Sequence, residues 1–150
     1  MGRNFVKWIG IAVMTVMFCM AGLGMSGDAQ AARFVNNGNG TVTDTQTGLM
    51  WPDQDNGSPI NWYNAKSYCE GYSGGGKSGW RMPTLHELRP LYESGAYGSV
   101  IKKTGAGYIW SSDAPGSACG GFVFLWGIWI WTKHSYDDDR GRALPVRSGN

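Results

Sequence analysis

Residues 80–88 read WRMPTLHEL, and this stretch carries the strongest local signal in the chain. Thr84 and Glu87 have the spacing of a capping box, in which each side chain accepts a hydrogen bond from the backbone amide of the other residue. A helix is therefore predicted to start at Thr84. Pro90 has no amide hydrogen, so this helix should be short or kinked there. Glu87 is therefore interpreted as a helix-capping residue in preference to a catalytic acid.

The sequence before this helix predicts a strand meander and an earlier helix. Residues 33–51 alternate short apolar runs with turns rich in Asn and Gly, which is typical of three short strands. Asn61 is placed to cap a helix over residues 62–70, and Gly71 to end it in a left-handed conformation. The glycines of residues 71–79 predict an irregular loop, and their spacing does not match a phosphate-binding loop.

Four stretches after the second helix are predicted to be strands, at residues 108–111, 122–126, 128–132 and 143–147. Strands come in runs, with helices inserted between them. The fold class is therefore predicted to be α+β, with short, mainly antiparallel strands and hairpins, two short helices and long Gly-rich loops.

The stretch FVFLWGIWIW at residues 122–131 predicts a hairpin in which Trp126 and Gly127 form a two-residue connection. Side chains alternate along a strand, so this register separates an aromatic face from an aliphatic face. The aromatic face holds Phe122, Phe124, Trp129 and Trp131. The aliphatic face holds Val123, Leu125, Ile128 and Ile130.

Two interpretations of this hairpin stay open. Both faces are buried if the hairpin is central, between a helix layer and a second sheet. Alternatively, the aromatic face is partly open and serves as a stacking platform for sugar rings or as a dock for a partner protein. In that case Trp129 and Trp131 are the ligand-binding candidates, and Trp126, Phe122 and Phe124 extend the surface.

The first 31 residues have the pattern of a secretory signal peptide. Two basic residues precede an uncharged stretch of 20 residues, and Ala29 and Ala31 place small residues at the cleavage positions. We expect cleavage after Ala31, which leaves residues 32–150 as one exported domain in the periplasm, at the cell surface or outside the cell. The alternative is an uncleaved membrane anchor, because the uncharged stretch is long enough to span a bilayer.

No recognisable catalytic or metal-binding motif is found in the sequence, which favours a non-catalytic protein without a cofactor. The net charge is +2 and the charges are dispersed, which argues against nucleic-acid binding. His86 and His134 have neither a nucleophile motif nor metal-ligand spacing. The acidic run Asp137, Asp138 and Asp139 offers oxygen ligands for calcium but lacks the spacing of a calcium loop. A solvated turn is the preferred interpretation of that run, and no metal site is assigned.

Cys69 and Cys119 are the two cysteines of the predicted mature domain. In an oxidising compartment two remaining thiols favour one disulfide. Two buried free thiols are the alternative.

The mature chain resembles a known family in a series of short blocks. They are RFV at 33–35, GTVTD at 40–44, TGLMW at 47–51, WRMPT at 80–84 followed by Glu87 and Leu88, WSS at 110–112 and VR at 146–147. In this order they resemble the Lcl C-terminal domain family of exported bacterial domains. The resemblance implies recognition of polysaccharide or cell-envelope components in surface attachment. The alternative is a structural or assembly subunit that packs against a partner protein in an envelope or extracellular complex, and the oligomeric state stays open.

The RMPTxxE block also looks like the corresponding part of formylglycine-generating enzymes, and this similarity implies a C-type-lectin-like fold. Those enzymes depend on a cysteine pair near the end of the chain, whereas no cysteine follows Cys119 here, so their chemistry does not carry over. Lcl family members often have a cysteine before the final Val-Arg, where this chain has Leu144 and Pro145. The family therefore does not imply the Cys69–Cys119 bridge.

Overall fold

The structure is a computed structural model that describes residues 33–134 and 140–150. The predicted signal peptide and the acidic run at residues 137–139 lie outside the described residues. The described part contains two α-helices and eight strands in two four-stranded sheets, so the α+β class is confirmed. A C-type-lectin-like topology stays a prediction. No described helix combines the length and the apolar character that crossing a bilayer requires.

The first sheet contains the predicted meander and has the strand order β1-β2-β3-β8, with every neighbouring pair antiparallel. Its strands are β1 (Phe34–Asn36), β2 (Thr41–Asp44), β3 (Leu49–Pro52) and β8 (Arg147–Ser148). Asp44 organises the second turn, because its carboxylate accepts hydrogen bonds from the Gln46 amide and the Thr47 hydroxyl. The Arg33 guanidinium pairs with the same carboxylate at 2.7 Å.

The second sheet has the order β6-β5-β4-β7. Its strands are β4 (Tyr108–Trp110), β5 (Ala118–Val123), β6 (Ile128–Lys133) and β7 (Gly141–Arg142). The β4–β7 pair is parallel and the other pairs are antiparallel. The strand predicted over residues 143–147 is only partly correct, because Arg147 begins β8 and Val146 makes one antiparallel bridge with Arg81. The residues before them pass from one sheet to the other. Pro145 has no amide for a ladder, and the flanking Leu144 and Val146 are buried in the core.

The two helices have the predicted starts. Helix α1 (Trp62–Glu70) is capped by the Asn61 side chain, which accepts from the Asn64 amide at 2.9 Å. Gly71 ends the helix in a right-handed conformation with φ −87°, so the left-handed stop is wrong. The helical bond from the Gly71 amide to the Ser67 carbonyl is still made, and it requires no positive φ.

Helix α2 (Leu85–Glu93) begins with the predicted capping box of Thr84 and Glu87. It is nine residues long and continues for three residues past Pro90. Between the helices, residues 74–76 form a single 3₁₀ turn within the predicted irregular loop.

The central strands β4 and β5 separate two apolar clusters. Ile109 and Phe122 face the first cluster, which contains the buried leucines of α2. Tyr108 and Val123 face the second cluster, which contains the buried residues of α1. Both faces of β5 are therefore covered, whereas β6 lies at the margin of the sheet.

The turn between β5 and β6 is longer than predicted. Val123 pairs with Ile128, so residues 124–127 form a four-residue loop in place of the two-residue connection. Gly127 has φ +66°, and an added Cβ would contact the Tyr92 ring, so glycine suits this position. The register differs from the predicted one by two residues. An even shift keeps paired side chains on the predicted faces.

The predicted Cys69–Cys119 disulfide is wrong, because both cysteines are free and buried. They belong to the second apolar cluster, where they pack as small apolar side chains. The Cys119 thiol is directed at the Thr132 carbonyl, 3.5 Å away across the β5–β6 ladder. Burial raises the pKa of Cys69 to about 12 and that of Cys119 to about 11.

Candidate functional site

The tryptophans of the described residues fall into two groups by exposure. Trp51, Trp62, Trp80 and Trp110 are buried. The other three all lie on the β5–β6 hairpin, where Trp126 is 66% exposed, Trp129 39% and Trp131 50%. Leu125 and Ile128 in the same segment are also exposed, so residues 125–131 form the main apolar surface of the described part.

Three of the four buried indoles are held in the fold by hydrogen bonds from their Nε1 atoms. The Trp62 Nε1 donates to the Ser111 carbonyl at 2.8 Å, and the Trp110 Nε1 donates to the Ile60 carbonyl at 2.7 Å. Trp80 donates in the same way to the Lys77 carbonyl at 2.9 Å. These three indoles therefore hold loops against the core and are not candidates for binding.

Trp129 and Trp131 lie on the same face of β6, because they are two residues apart on a strand. The rise of a strand separates their Cα atoms by about 6.6 Å. Helix α2 supports Trp129: the His86 ring meets it edge to face with centroids 5.6 Å apart, and the Arg89 Cζ lies 5.6 Å from the ring centroid. This surface, Trp129 and Trp131 with their neighbours, is called the indole face below.

Trp131 borders a shallow depression of about 510 Å³. Ser117 and Lys133 line this depression together with Trp131, so polar groups lie next to the exposed indole. Lys133 also belongs to the indole face by alternation, because it follows Trp131 by two residues. The arrangement combines flat aromatic surface with hydrogen-bond donors.

Phe122 and Phe124 do not extend this open surface, contrary to the sequence-based hypothesis. Phe122 is fully buried and packs on Phe124 with ring centroids 4.9 Å apart. Phe124 lies in the loop, partly buried, with its ring centroid 4.4 Å from that of Tyr97. Both side chains support the hairpin from the core side, because both pack in or against the first apolar cluster.

Trp126 lies on the opposite side of the hairpin. With Leu125, it borders an apolar groove of about 430 Å³ whose floor includes Val123 and Ile130. Tyr108 and Arg140 complete the wall of this groove. Trp126 therefore does not extend the indole face, and the hairpin has two distinct apolar surfaces.

The two histidines lie among aromatic rings. His134 stacks on Tyr63 at 5.5 Å and meets Trp62 edge to face at 4.6 Å, while His86 contacts Trp129. Within residues 33–134 and 140–150, no group of three or more His, Cys, Asp or Glu residues is arranged to hold a metal ion. Calcium binding by Asp137, Asp138 and Asp139 stays untested, since these residues lie outside the described part.

The family model of the Lcl C-terminal domain matches residues 40–148, which is more than half of the chain. The chain belongs to this family. The Lcl C-terminal domain thus runs from β2 to β8 and includes both surfaces of the β5–β6 hairpin. No curated protein matches the chain closely enough to add to this comparison.

Sequence analysis of this Lcl C-terminal domain missed the polar neighbours of the indole face. Alternation along β6 would have found Lys133, because it lies two residues after Trp131 and therefore on the same face as Trp129 and Trp131. His86 and Arg89 are three residues apart on one side of α2, but nothing local in the sequence shows which strand that side meets.

Proposed function

We propose that this domain is a non-catalytic binding module that recognises polysaccharide through Trp129 and Trp131. The observation that carries the proposal is the open indole face, with two tryptophans at 39% and 50% exposure on one side of a marginal strand. Exposed indoles suit the apolar faces of sugar rings, which stack on aromatic side chains, while the indole N–H remains free to donate.

The surroundings of the two indoles support saccharide binding in two ways. Arg89 and His86 hold Trp129 from the side of α2, so less conformational freedom is lost when a ligand binds. Ser117 and Lys133 beside Trp131 supply hydrogen-bond donors of the kind that fix ligand orientation in a mainly apolar site. We propose no reaction at this surface.

The proposed site of action is outside the cytoplasm, in attachment of the cell surface to polysaccharide or other envelope components. The signal-peptide pattern of residues 1–31 supports this location. Membership of the Lcl C-terminal domain family is consistent with it.

A second candidate function is favoured by the other surface of the hairpin. Leu125 is 65% exposed and Ile128 47%, and these aliphatic side chains have no flat face on which a sugar ring stacks. An apolar groove beside exposed aliphatic residues suits a partner protein. On this alternative the domain is an assembly subunit of an envelope or extracellular complex.

Single substitutions on the two surfaces separate these functions. Trp129→Ala and Trp131→Ala should abolish binding on a polysaccharide array, whereas Trp126→Ala should leave it intact, because Trp126 borders the opposite groove. Circular dichroism and thermal unfolding would establish that each variant folds. Array binding that is lost only in Trp126→Ala would overturn the assignment to the indole face. No polysaccharide signal, together with one envelope protein retained by the parent and lost by Trp126→Ala, would favour the assembly subunit.

A further inference from the structure

Strand β6 has an outer edge that no described strand covers. It is the terminal strand in the order β6-β5-β4-β7, and all six of its residues pair with β5 on the inner side. Each strand of a sheet can form a backbone ladder on both sides. An open edge of six residues is therefore a template for another strand.

The usual features that protect a sheet edge are missing from this strand. Ile128–Thr132 contains no proline and no charged residue, and Lys133 comes only at the end. The pairing with β5 runs without interruption from Ala118–Lys133 to Val123–Ile128, so no bulge twists the edge away. Long, regular and apolar edges are the ones that pair with another chain.

We propose that two copies of this chain pair antiparallel through their β6 edges, about a two-fold axis at Ile130. The two four-stranded sheets then form one eight-stranded sheet. A two-fold axis perpendicular to the sheet places the indole faces of both copies on the same side of the joined sheet. Residues that lie opposite each other across the junction must then both be odd-numbered or both be even-numbered, because side chains alternate along a strand. An axis at Ile130 satisfies this condition.

This register gives favourable neighbours on the indole face. Trp129 of one copy lies opposite the partner's Trp131, so two cross-strand indole pairs form, and aromatic pairs of this kind stabilise antiparallel sheets. Lys133 lies opposite the partner's Gly127. The two lysines are thus at opposite ends of the junction and do not face each other.

The exposed area beside the β6 edge suits a weak dimer. A tryptophan side chain covers about 150–250 Å², so the exposed fractions of Trp129 and Trp131 amount to about 130–220 Å² per copy. Leu125 and Ile128 add aliphatic surface. A standard interface takes about 800 Å² from each partner, so the two tryptophans supply about a quarter of one at most, and the strand backbone adds to them. The association should therefore be concentration-dependent.

The proposal concerns the backbone edge of β6 and is independent of saccharide binding. Edge pairing leaves both faces of the sheet open. Loss of one property therefore does not imply loss of the other.

Site-directed cross-linking tests the register. In the proposed dimer residue 130 lies opposite itself, and the Cα atoms of opposite residues are about 4.5–5.5 Å apart, which a disulfide can span. Ile130→Cys should give a covalent dimer under mild oxidation. Ile128→Cys is the matched control: it lies on the same face but opposite the partner's Thr132, with about 13 Å along the strand between the two introduced cysteines. It should stay uncross-linked.

Sedimentation of the parent protein over a range of concentrations provides the second measurement. A reversible monomer–dimer equilibrium, shifted to monomer by Trp131→Lys, supports the proposal. Equal cross-linking of the two cysteine variants would overturn the register. A parent protein that is monomeric at every concentration, or an association that Trp131→Lys does not weaken, would overturn the dimer whether or not polysaccharide binds.

Discussion

Phe122 and Trp129 lie directly opposite each other in the β5–β6 ladder, yet Phe122 is fully buried and Trp129 is 39% exposed. The difference comes from strand position. Phe122 is on the inner strand and packs under Tyr92 and Phe124, whereas Trp129 is on the marginal strand, where α2 covers only part of its ring. One cross-strand pair thus joins the core to the candidate binding surface.

Replacing a buried tryptophan should reduce the free energy of unfolding more than replacing an exposed one. Trp110→Ala should reduce the free energy of unfolding by about 3–5 kcal/mol, because Trp110 is fully buried and its Nε1 donates to the Ile60 carbonyl. Trp131→Ala should cost about 1 kcal/mol or less, because half of the side chain is exposed. Urea unfolding measures both values. A cost of several kcal/mol for Trp131→Ala would mean that this residue is core and not surface.

The capping box of α2 gives a second prediction. The Thr84 hydroxyl accepts from the Glu87 amide at 3.1 Å, and the Glu87 carboxylate accepts from the Thr84 amide at 2.8 Å. Thr84→Ala should lower the free energy of unfolding by about 1 kcal/mol, because a helix-start amide loses its acceptor. Thr84→Ser keeps the hydroxyl and is the control. Equal losses in the two variants would assign the effect to the threonine methyl group instead.

Asp55 should make stability depend on acid pH. The buried Asp55 carboxylate accepts from the Tyr97 hydroxyl at 2.6 Å and from the Thr104 amide at 2.9 Å. Burial by itself would raise the Asp55 pKa, but hydrogen bonds from Thr104, Tyr97 and Gly57 outweigh it, so the net pKa lies below the ordinary value of 3.8. A lowered pKa in the folded state stabilises the protein above the unfolded pKa. That stabilisation is lost as the pH falls through the folded pKa.

Chemical unfolding between pH 7 and pH 3 measures this effect. Asp55→Asn should be less stable than the parent at pH 7, and its free energy of unfolding should fall less steeply in acid, because one linked titration is gone. A variant with the parent's acid slope would show that Asp55 does not contribute to the pH dependence.

Cys69 and Cys119 should both be free but unreactive in the folded protein. Burial raises their pKa values to about 12 and about 11, so little thiolate forms near neutral pH. A maleimide should label neither residue in the native state and both after denaturation without reductant, as peptide mass spectrometry would show. Labelling of neither residue after denaturation would contradict the free thiols.

Local signals in the sequence predicted the parts of the fold that local interactions determine. Thr84 and Glu87 fix a helix start through bonds only three residues apart, and Asn61 does the same for α1. The alternation around Trp129 and Trp131 gave the right faces even with the wrong turn, because the register error was an even number of residues. These features need no knowledge of the rest of the chain.

Features that depend on distant contacts were mispredicted. The burial of Phe122 follows from β5 being an inner strand, and no residue near it encodes that position. The Cys69–Cys119 disulfide was predicted only from the expected oxidising compartment. In the structure the two cysteines are apolar packing residues in the cluster under α1 and β5. At the candidate site, the indoles were predictable from alternation, whereas Arg89 joins them only through tertiary packing.

The segment from Gly141 to Ser148 has a consequence for how the fold is completed. It supplies β7 to the margin of one sheet and β8 to the margin of the other, with the buried residues Leu144 and Val146 between them. A nascent chain that has not yet reached residue 141 can finish neither sheet, so cooperative folding has to wait for these eight residues. Contacts between segments far apart in sequence slow folding. Removal of residues 141–148 should therefore destabilise both sheets together and not one sheet alone.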